Sequence, residues 1–443
     1  MWYSYTMGRK QVLIPIVFAL FCAASIGLVL WWQLRQTTLL LSENLATAQS
    51  ATESAAKTFT TLFLDPRDEA LMELRRGDLL AMHGEWAEAQ GHYERAVAKN
   101  GGLPALRKLA SAQLQRRDIR GVYTTLEQLK RAGARSEDLL LLESIILLRT
   151  AEIAKAETLL QNAADSPQKH YALTLLEIVR GNHNRVREEL ALVIGGWEPV
   201  LRSNAKTLQA AYDEYALFPE SPFIHLTTLL ARALAQVQEC ELALPLLSPV
   251  LNVQDDYRDA WIVQGFCELQ TERYQQALVS FERAYALDPE KPEIQYFLGR
   301  TFAVLQDHTS ALTFYGYALR NGFSPENEVR LRIAKSAEQG SDPTLALEQY
   351  KALLEMENPE FEIFQGFVAI ARALERNEEA YVVALKASER FSRDARAFEL
   401  LGTAALSAGH RDEAREAFAH ALSLNPNLGG AKEKLKQLDG GNR

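Results

Sequence analysis

Apolar side chains recur along most of the chain at intervals of three or four residues, the spacing that places them on one face of an α-helix. The helical stretches are short, and turn sequences such as residues 272–274 and 409–411 separate them. Pro289 and Pro426 follow two of the stretches, and proline ends a helix because it lacks a backbone donor and clashes with the preceding turn. The pattern predicts an all-α chain built from many short helices.

Small and aromatic residues also repeat, at a longer interval of 34 residues, near the C-terminus. Each unit has a small residue at its eighth position, an alanine at its twentieth and an aromatic residue four positions later. Because residues four apart share a helix face, this set lets the first helix of a unit (helix A) pack closely on the second (helix B). The three clearest units contain Trp261, Gly265, Ala277, Phe281, Ala284 and Pro289; Leu298, Gly299, Phe302, Ala311, Tyr315 and Ala318; and Phe398, Leu401, Gly402, Ala414, Phe418, Ala421 and Pro426.

The repeated pattern resembles that of the tetratricopeptide repeat (TPR), W-x2-L-G-x2-Y followed by A-x3-F and a closing proline. The resemblance implies an α-solenoid, a right-handed superhelix of antiparallel helix pairs. It divides the chain into an N-terminal array over residues 70–194 and a C-terminal array over residues 224–428, with one inserted residue near Gly340 and Ser341. Units of the second array start near Ile224, Arg258, Pro292, Asn327, Phe361 and Ala395.

Three parts of the chain depart from a regular array. Residues 195–223 fit no repeat, and we predict an irregular joint there. Residues 429–443 are predicted to form a capping helix and tail, which the exposed end of a repeat array requires. Glu268 occupies a position at which TPR units usually carry an aromatic residue.

Residues 12–32 form a run of 21 residues without a charge, and twelve of them are Val, Leu, Ile or Phe. A helix of this length spans about 30 Å of hydrocarbon. A cleaved signal peptide would have a shorter apolar region and a small-residue cleavage site, whereas this run ends in Trp31 and Trp32. We therefore predict a short tail over residues 1–11 and a single transmembrane helix over residues 12–32, in contact with a lipid bilayer.

The charges that flank the apolar run bear on its orientation. Arg9 and Lys10 precede it and Arg35 follows it, so the positive-inside rule favours a cytoplasmic N-terminus. In a bacterium the repeats would then lie in the periplasm, on an inner-membrane anchor. The alternative is that they face the cytoplasm.

Residues 33–66 are predicted to form a helical stalk. Apolar or small residues recur in it at alternating spacings of four and three, which would permit a weak coiled-coil homodimer. Four of the nine seam positions are Thr or Ala, so a lone helix that extends the anchor is the favoured interpretation.

In TPR proteins, inward residues of helix A at the second, fifth, ninth and twelfth positions line the groove that binds a partner. Carried onto this chain, the resemblance implies that role for Arg232, Phe266, Arg300 and Lys335 at the ninth position, Tyr296 at the fifth and Arg372 at the twelfth. Cations beside aromatic rings suit an extended peptide with acidic or C-terminal carboxylate groups. The alternative is that these are ordinary solvated helix positions.

Composition excludes some classes of function. A net charge of −9 argues against nucleic acid as a partner, because phosphate binding needs a basic surface. No phosphate-binding loop, nucleophile elbow or zinc-protease motif is present, and the eight histidines are scattered. Cys240 and Cys267 could approach each other, but two small apolar helix residues are the simpler interpretation. We predict no enzyme activity, no cofactor and no metal site.

These inferences favour a membrane-anchored scaffold that binds other proteins. By resemblance, its setting would be the assembly of a cell-envelope machine for export, pilus biogenesis, cytochrome maturation or polysaccharide handling. The alternative is a cytosol-facing receptor or adaptor that recruits client proteins to the membrane.

Overall fold

The computed structural model describes residues 69–218 and 220–440, which form 22 α-helices and no β-strand. The helices are α1 (Glu69–Met82), α2 (Trp86–Ala98), α3 (Gly102–Gln115), α4 (Ile119–Arg131), α5 (Ser136–Arg149), α6 (Ile153–Asn162), α7 (Pro167–Arg180), α8 (His183–Gly195), α9 (Pro199–Ala216), α10 (Phe223–Gln236), α11 (Cys240–Val253), α12 (Arg258–Gln270), α13 (Tyr274–Leu287), α14 (Pro292–Val304), α15 (His308–Arg320), α16 (Glu326–Gln339), α17 (Pro343–Leu354), α18 (Phe361–Ala373), α19 (Asn377–Arg390), α20 (Ala395–Ala408), α21 (Arg411–Leu424) and α22 (Gly429–Gly440). The prediction of an all-α fold of short helices is confirmed.

The predicted tail, transmembrane helix and stalk, residues 1–66, lie outside the described residues. Within residues 69–218 and 220–440, every helix is too short or too polar to cross a bilayer.

Ten of the short turns between helices contain one residue in the left-handed backbone region, with φ between 59° and 88°. These residues are Gly84, Arg117, Ala151, Gly181, Gln238, Glu272, Gln306, Ser341, Glu375 and Gly409. From Gln238 onward they recur every 34 residues, except for an interval of 35 between Gln306 and Ser341. The turns therefore confirm the period that the sequence predicts.

The extra residue lies elsewhere than predicted. The turn at Gly340 and Ser341 has the same three-residue length as the turns at 271–273 and 305–307. The connection before it, residues 321–325, is one residue longer than the corresponding connection at 288–291. The sequence pattern misplaced the insertion because glycine and serine signal a turn but do not reveal its length.

Glycine at the eighth position allows the aromatic side chain of helix B to lie directly against helix A. A methyl group added at Gly77, Gly265, Gly299 or Gly402 would lie 2.5–2.9 Å from the ring sixteen residues later. Those rings belong to Tyr93, Phe281, Tyr315 and Phe418, and all four are buried. The close packing predicted from the repeat pattern is confirmed in these four hairpins.

The segment predicted to be an irregular joint, residues 195–223, instead contains the 18-residue helix α9. Pro199 occupies its first turn, where the missing donor costs nothing. Its buried side chains, Leu201, Ala205, Leu208, Ala211 and Tyr212, follow the helical period. The repeat pattern does not predict this helix, because α9 has no equivalent in the 34-residue register.

The described chain divides into two compact units, one that ends at Ala112 and one that begins at Gln113. In the first unit, α1 packs on α2 around the buried ring of Tyr93, whose hydroxyl donates to Asp78 at 2.8 Å. Glu73 on α1 accepts from His92 at 2.7 Å and from Arg95 at 3.0 Å on α2. This hairpin is therefore fastened by both apolar and charged contacts.

The second unit begins with one continuous hydrophobic core that runs from Leu114 to Cys267. This core crosses residues 195–223 without a break, so the chain does not divide there into the two predicted arrays. Here α11 contacts both α5 and α7, which lie far away in the sequence. The later part of the unit differs, because residues 269–438 form a row of four smaller clusters, each built from neighbouring helices.

Candidate peptide-binding surface

The first helices of successive hairpins in the second unit stand side by side. Helix α10 contacts α12, α12 contacts α14, α14 contacts α16, and α18 contacts α20. The six residues predicted to bind a peptide all belong to these helices. We call the exposed side of α10, α12, α14, α16 and α18 that carries their ninth positions the A-helix face.

Two of the predicted cations on the A-helix face already have acidic partners. Arg232 on α10 pairs with Glu214 on α9, and Lys335 on α16 pairs with Glu362 on α18. The four side chains are 41–51% exposed. Ion pairs at this exposure contribute only about 0–1 kcal/mol, so a carboxylate from another protein can take the place of the internal one.

Arg300, at the ninth position of α14, differs from both. It forms no ion pair within residues 69–218 and 220–440, and its guanidinium lies 5.8 Å from the ring centroids of Tyr296 and Phe297. Phe297 in turn meets Phe266 of α12 edge to face, with ring centroids 5.6 Å apart. Arg300 is thus a half-buried cation held over aromatic rings, with donors left for an external carboxylate.

Tyr296 does not lie on the A-helix face, and this corrects its predicted role. It is only 3% exposed and stacks on Phe323 with ring centroids 4.3 Å apart. Its hydroxyl donates to Glu328, and burial together with this hydrogen bond raises its pKa. The fifth position of α14 faces the connection to α16, so Tyr296 is a core residue that supports Arg300 from beneath.

Arg372, at the twelfth position of α18, is exposed, and its Nε donates to Ser407 Oγ of α20 at 2.8 Å. It lies at the end of α18, four repeats along from α10. The structure therefore places Arg372 on the same row of helices as Arg232 but not beside the aromatic rings around Arg300.

The A-helix face is less basic than the sequence predicts, because the second position of the repeats is acidic. Asp259, Glu293, Glu328 and Glu362 occupy it in four successive A helices. Glu362 pairs with Lys335 of the preceding repeat. Burial opposes ionisation of Glu328, but the hydrogen bond from Tyr296 and the charges of Arg332 and, to a smaller extent, Arg300 lower its pKa. These carboxylates recur in the same 34-residue register as the cations, so the repeat pattern in the sequence already contains them.

Three of the histidines form hydrogen bonds with neighbouring acidic or tyrosine side chains. His170 bonds Glu189 at 2.7 Å, and His183 and His225 bond tyrosine hydroxyls at 2.9 and 2.7 Å. In the part of the chain that the structure describes, no group of three or more metal-ligating side chains comes together. Cys240 and Cys267 are buried, free and hydrogen-bonded to each other, and burial raises the pKa of the Cys267 thiol.

Comparisons with known proteins agree with this geometry. Models of the tetratricopeptide repeat match residues 228–292, 268–327 and 395–428, so the chain contains tetratricopeptide repeats over these residues. No curated protein matches the chain.

Among solved structures, the chain is similar to YrrB, a TPR protein with an unusual peptide-binding site, at 18% identity over 43% of this chain and 97% of that one, with a TM-score of 0.39. It is similar to PilW, a type IV pilus biogenesis factor, at 18% identity over 48% and 99% of the chains, with a TM-score of 0.39. A tetratricopeptide repeat protein from Parabacteroides merdae matches at 16% identity over 62% and 98%, with a TM-score of 0.34. At these values the functions of the three proteins are not carried over to this chain.

Proposed function

We propose that this protein is a membrane-anchored scaffold whose A-helix face binds extended, carboxylate-bearing segments of other proteins. The observation that carries the proposal is Arg300, a half-buried guanidinium that lies over Tyr296 and Phe297 and has no internal ion-pair partner among the described residues. Charge-assisted hydrogen bonds to a carboxylate are stronger than neutral ones, and an aromatic surround lowers the competition from water.

The residues around Arg300 define how such a segment would be held. Phe266 and Phe297 offer apolar contact next to the guanidinium. Arg232 and Lys335 lie one repeat or more to either side, in half-exposed ion pairs that can be exchanged. An extended peptide that spans α10 to α16 would therefore meet one cation or one aromatic ring per repeat.

The membrane setting is the second part of the proposal. Residues 12–32 would anchor the chain, and the balance of Arg9 and Lys10 against Arg35 supports a periplasmic position for the repeats in a bacterium. A scaffold held at the inner membrane in this way suits the assembly of a cell-envelope complex. Weak dimerisation through residues 33–66 would be compatible with that role.

Site-specific photo-crosslinking in the full-length protein tests the binding face. A photoreactive amino acid at Phe266 is expected to form adducts with a partner protein, whereas one at Val279, exposed on the B helix α13, is not. Arg300→Glu is expected to reduce the adduct yield about tenfold, the loss expected for one charge-assisted hydrogen bond. Arg283→Glu makes the same charge change on α13 and serves as the matched control.

Adducts that form equally from Val279, or that persist unchanged in Arg300→Glu, would rule out the A-helix face as the binding surface. Membrane topology has its own test, a C-terminal fusion to a reporter that is active only outside the cytosol. An inactive reporter would overturn the periplasmic orientation and favour the cytosol-facing adaptor.

A further inference from the structure

A second surface, on the B helices, has the features of a binding site that the A-helix face does not explain. A cavity of about 630 Å³ opens between α17, α18 and α19. Its apolar lining is formed by Leu354, Met356, Phe364, Phe367, Val382 and Val383. We call it the α17–α19 cavity.

The corresponding place between α13 and α15 is filled by aromatic rings. There Tyr285 and Phe314 meet edge to face with centroids 5.4 Å apart, and Tyr317 packs on Phe314 at 5.8 Å. The α17–α19 cavity carries Leu354 at the repeat position of Tyr285 and Val383 at the repeat position of Phe314. Smaller side chains at the same positions leave the space open, so the cavity is a local feature of this junction and not a general property of the fold.

Cations line the cavity near the C-terminal ends of α17 and α19. Lys351, Lys386 and Arg390 line it, and none of the three forms an ion pair among the residues that the structure describes. Arg390 instead donates to Asn358 Oδ1 at 3.0 Å at the lip of the cavity. Val382, Lys386 and Arg390 are four residues apart, so apolar contact and positive charge follow one stripe of α19.

The acidic residues at the cavity offset this positive charge only in part. Glu378 and Glu379 line the cavity at the opposite, N-terminal end of α19, where Glu379 pairs with Arg376 at 2.6 Å and Glu378 lies 3.2 Å from His410. Glu355 also lines the cavity, four residues after Lys351 at the end of α17, and its charge offsets one of the three cations. Lys351, Lys386 and Arg390 together outweigh Glu355, so this end of the cavity keeps an excess of positive charge in a chain whose net charge is −9, and it favours a partner of opposite charge.

We propose that the α17–α19 cavity binds an extended acidic segment of a partner protein, with one large apolar side chain inserted in the cavity and carboxylates on Lys351, Lys386 and Arg390. The volume is that of a pocket that accommodates an aromatic or branched aliphatic side chain together with adjacent backbone. This surface is distinct from the A-helix face and does not depend on the function proposed for it.

Fluorescence anisotropy with the full-length protein in detergent tests this proposal. The probe is a fluorescein-labelled peptide Asp-Asp-Phe-Leu-Asp-Asp, compared with Lys-Lys-Phe-Leu-Lys-Lys and Asp-Asp-Gly-Ser-Asp-Asp. The first peptide is expected to bind about tenfold more tightly than either of the others, since each lacks one of the two recognised features.

Two variants locate the binding. Val383→Phe restores the ring that Phe314 provides at the other junction and is expected to weaken binding at least about tenfold by filling the cavity. Lys386→Glu, at an exposed position that cannot disturb the core, is expected to do the same through charge. Arg283→Glu on α13 is the matched charge control and is expected to bind normally.

Arg300→Glu separates the two surfaces and is expected to leave binding of this probe unchanged. Loss of binding in Arg300→Glu with normal binding in Val383→Phe and Lys386→Glu would assign the probe to the A-helix face and overturn the proposal. Equal binding of the three peptides, or no binding of the first, would overturn it as well.

Discussion

Residues 114–267 and residues 269–438 of the second compact unit are both stacks of short helices, but different interactions hold them together. The earlier region has one continuous core, and its α11 contacts α5 and α7 across a long stretch of sequence. The later region has a row of small clusters made by neighbouring helices. One region behaves as a globular domain and the other as a one-dimensional repeat array.

The continuous core of the earlier region contains a buried ion pair between helices that are distant in sequence. Arg149 at the end of α5 and Glu239 before α11 are 3% and 4% exposed, and Arg149 Nε donates to Glu239 Oε2 at 2.8 Å. The same guanidinium donates to the carbonyls of Leu114 at 2.9 Å and Gln238 at 3.1 Å. The partners of Arg149 lie 35 to 90 residues away from it along the chain, so one guanidinium joins three separate parts of the earlier region.

This comparison teaches why the repeat pattern is clear in one region and weak in the other. In a row of clusters, each hairpin must supply its own small and aromatic residues, as Gly299 and Tyr315 do. In a continuous core, helices distant in sequence supply part of the packing. A hairpin there can therefore lack the small and aromatic residues of the repeat pattern and still bury its apolar side chains. Matches to the tetratricopeptide repeat fall mostly in the later region, at residues 268–327 and 395–428, although the match over residues 228–292 begins within the continuous core.

The largest expected effect comes from Arg149→Met, which leaves Glu239 buried without its partner. Burial already raises the pKa of Glu239 even beside Arg149, so the carboxylate cannot remain charged at low cost. We expect the free energy of unfolding to fall by about 3–5 kcal/mol, measured by chemical denaturation. Hydrogen exchange should show that amides throughout residues 114–267 lose protection together, because they share one core.

The control for this experiment lies in the later region. Arg396 pairs with Asp394 at the surface, and Arg396→Met is expected to cost about 0–1 kcal/mol. Replacement of both buried partners, Arg149→Met with Glu239→Met, should recover part of the loss, since no buried charge is left unpaired. An Arg149→Met variant as stable as the parent would show that the pair does not join the region.

A smaller and more local effect is expected from Gly299→Ala. A methyl group there would lie 2.6 Å from Tyr315 Cδ1, and overpacking of this kind costs about 1–3 kcal/mol. The matched control is Gly316→Ala on the next helix, which meets nothing within 4 Å and should stabilise the protein by about 0.5–1 kcal/mol. Both values can be read from denaturant unfolding.

Hydrogen exchange in Gly299→Ala shows which helices are destabilised, and this tests whether the two regions are independent. In Gly299→Ala, amides of α13 to α16 should lose hydrogen-exchange protection while those of α5 to α8 keep it, because the clusters around Phe281 and Tyr315 are separate from the continuous core. Equal loss of protection in α5 to α8 and in α13 to α16 would mean that the two regions unfold together and are not independent.

The smallest effect concerns Glu268, which lies at the border between Cys267 in the continuous core and Leu269 in the first small cluster. Glu268 accepts from Ser280 at 2.6 Å and Gln264 at 3.2 Å, but burial still raises its pKa above the usual 4.5. The folded state therefore binds a proton more readily than the unfolded state, and stability falls as pH rises through and above 4.5.

Glu268→Gln should remove this pH dependence. The variant should be more stable than the parent at neutral pH, and the difference should disappear below about pH 4, where Glu268 is protonated in both states. Denaturation midpoints measured from acidic to neutral pH check it. A parent that gains stability relative to the variant as pH rises would reverse the assigned direction.

Much of the repeat architecture was predictable because it depends on residues close together in the sequence. The period of 34, the hairpin turns and the contact of Gly265 with Phe281 all involve partners within one repeat. The positions of Arg300 and Phe266 on successive A helices followed from the same register. The charges around these residues were not evident from a single repeat, because Glu328 near Arg300 and Glu362 beside Lys335 each belong to the following repeat.

Local spacing of small, apolar and aromatic residues is enough to specify helical hairpins in a fixed register, because each hairpin is built from residues of one repeat. Contacts between helices, by contrast, bring α9 into a continuous core, place Arg149 against Glu239, bury Tyr296 and leave a cavity beside Val383. These features depend on side chains from helices distant in sequence, and a local pattern cannot specify which of them come into contact or what space they leave.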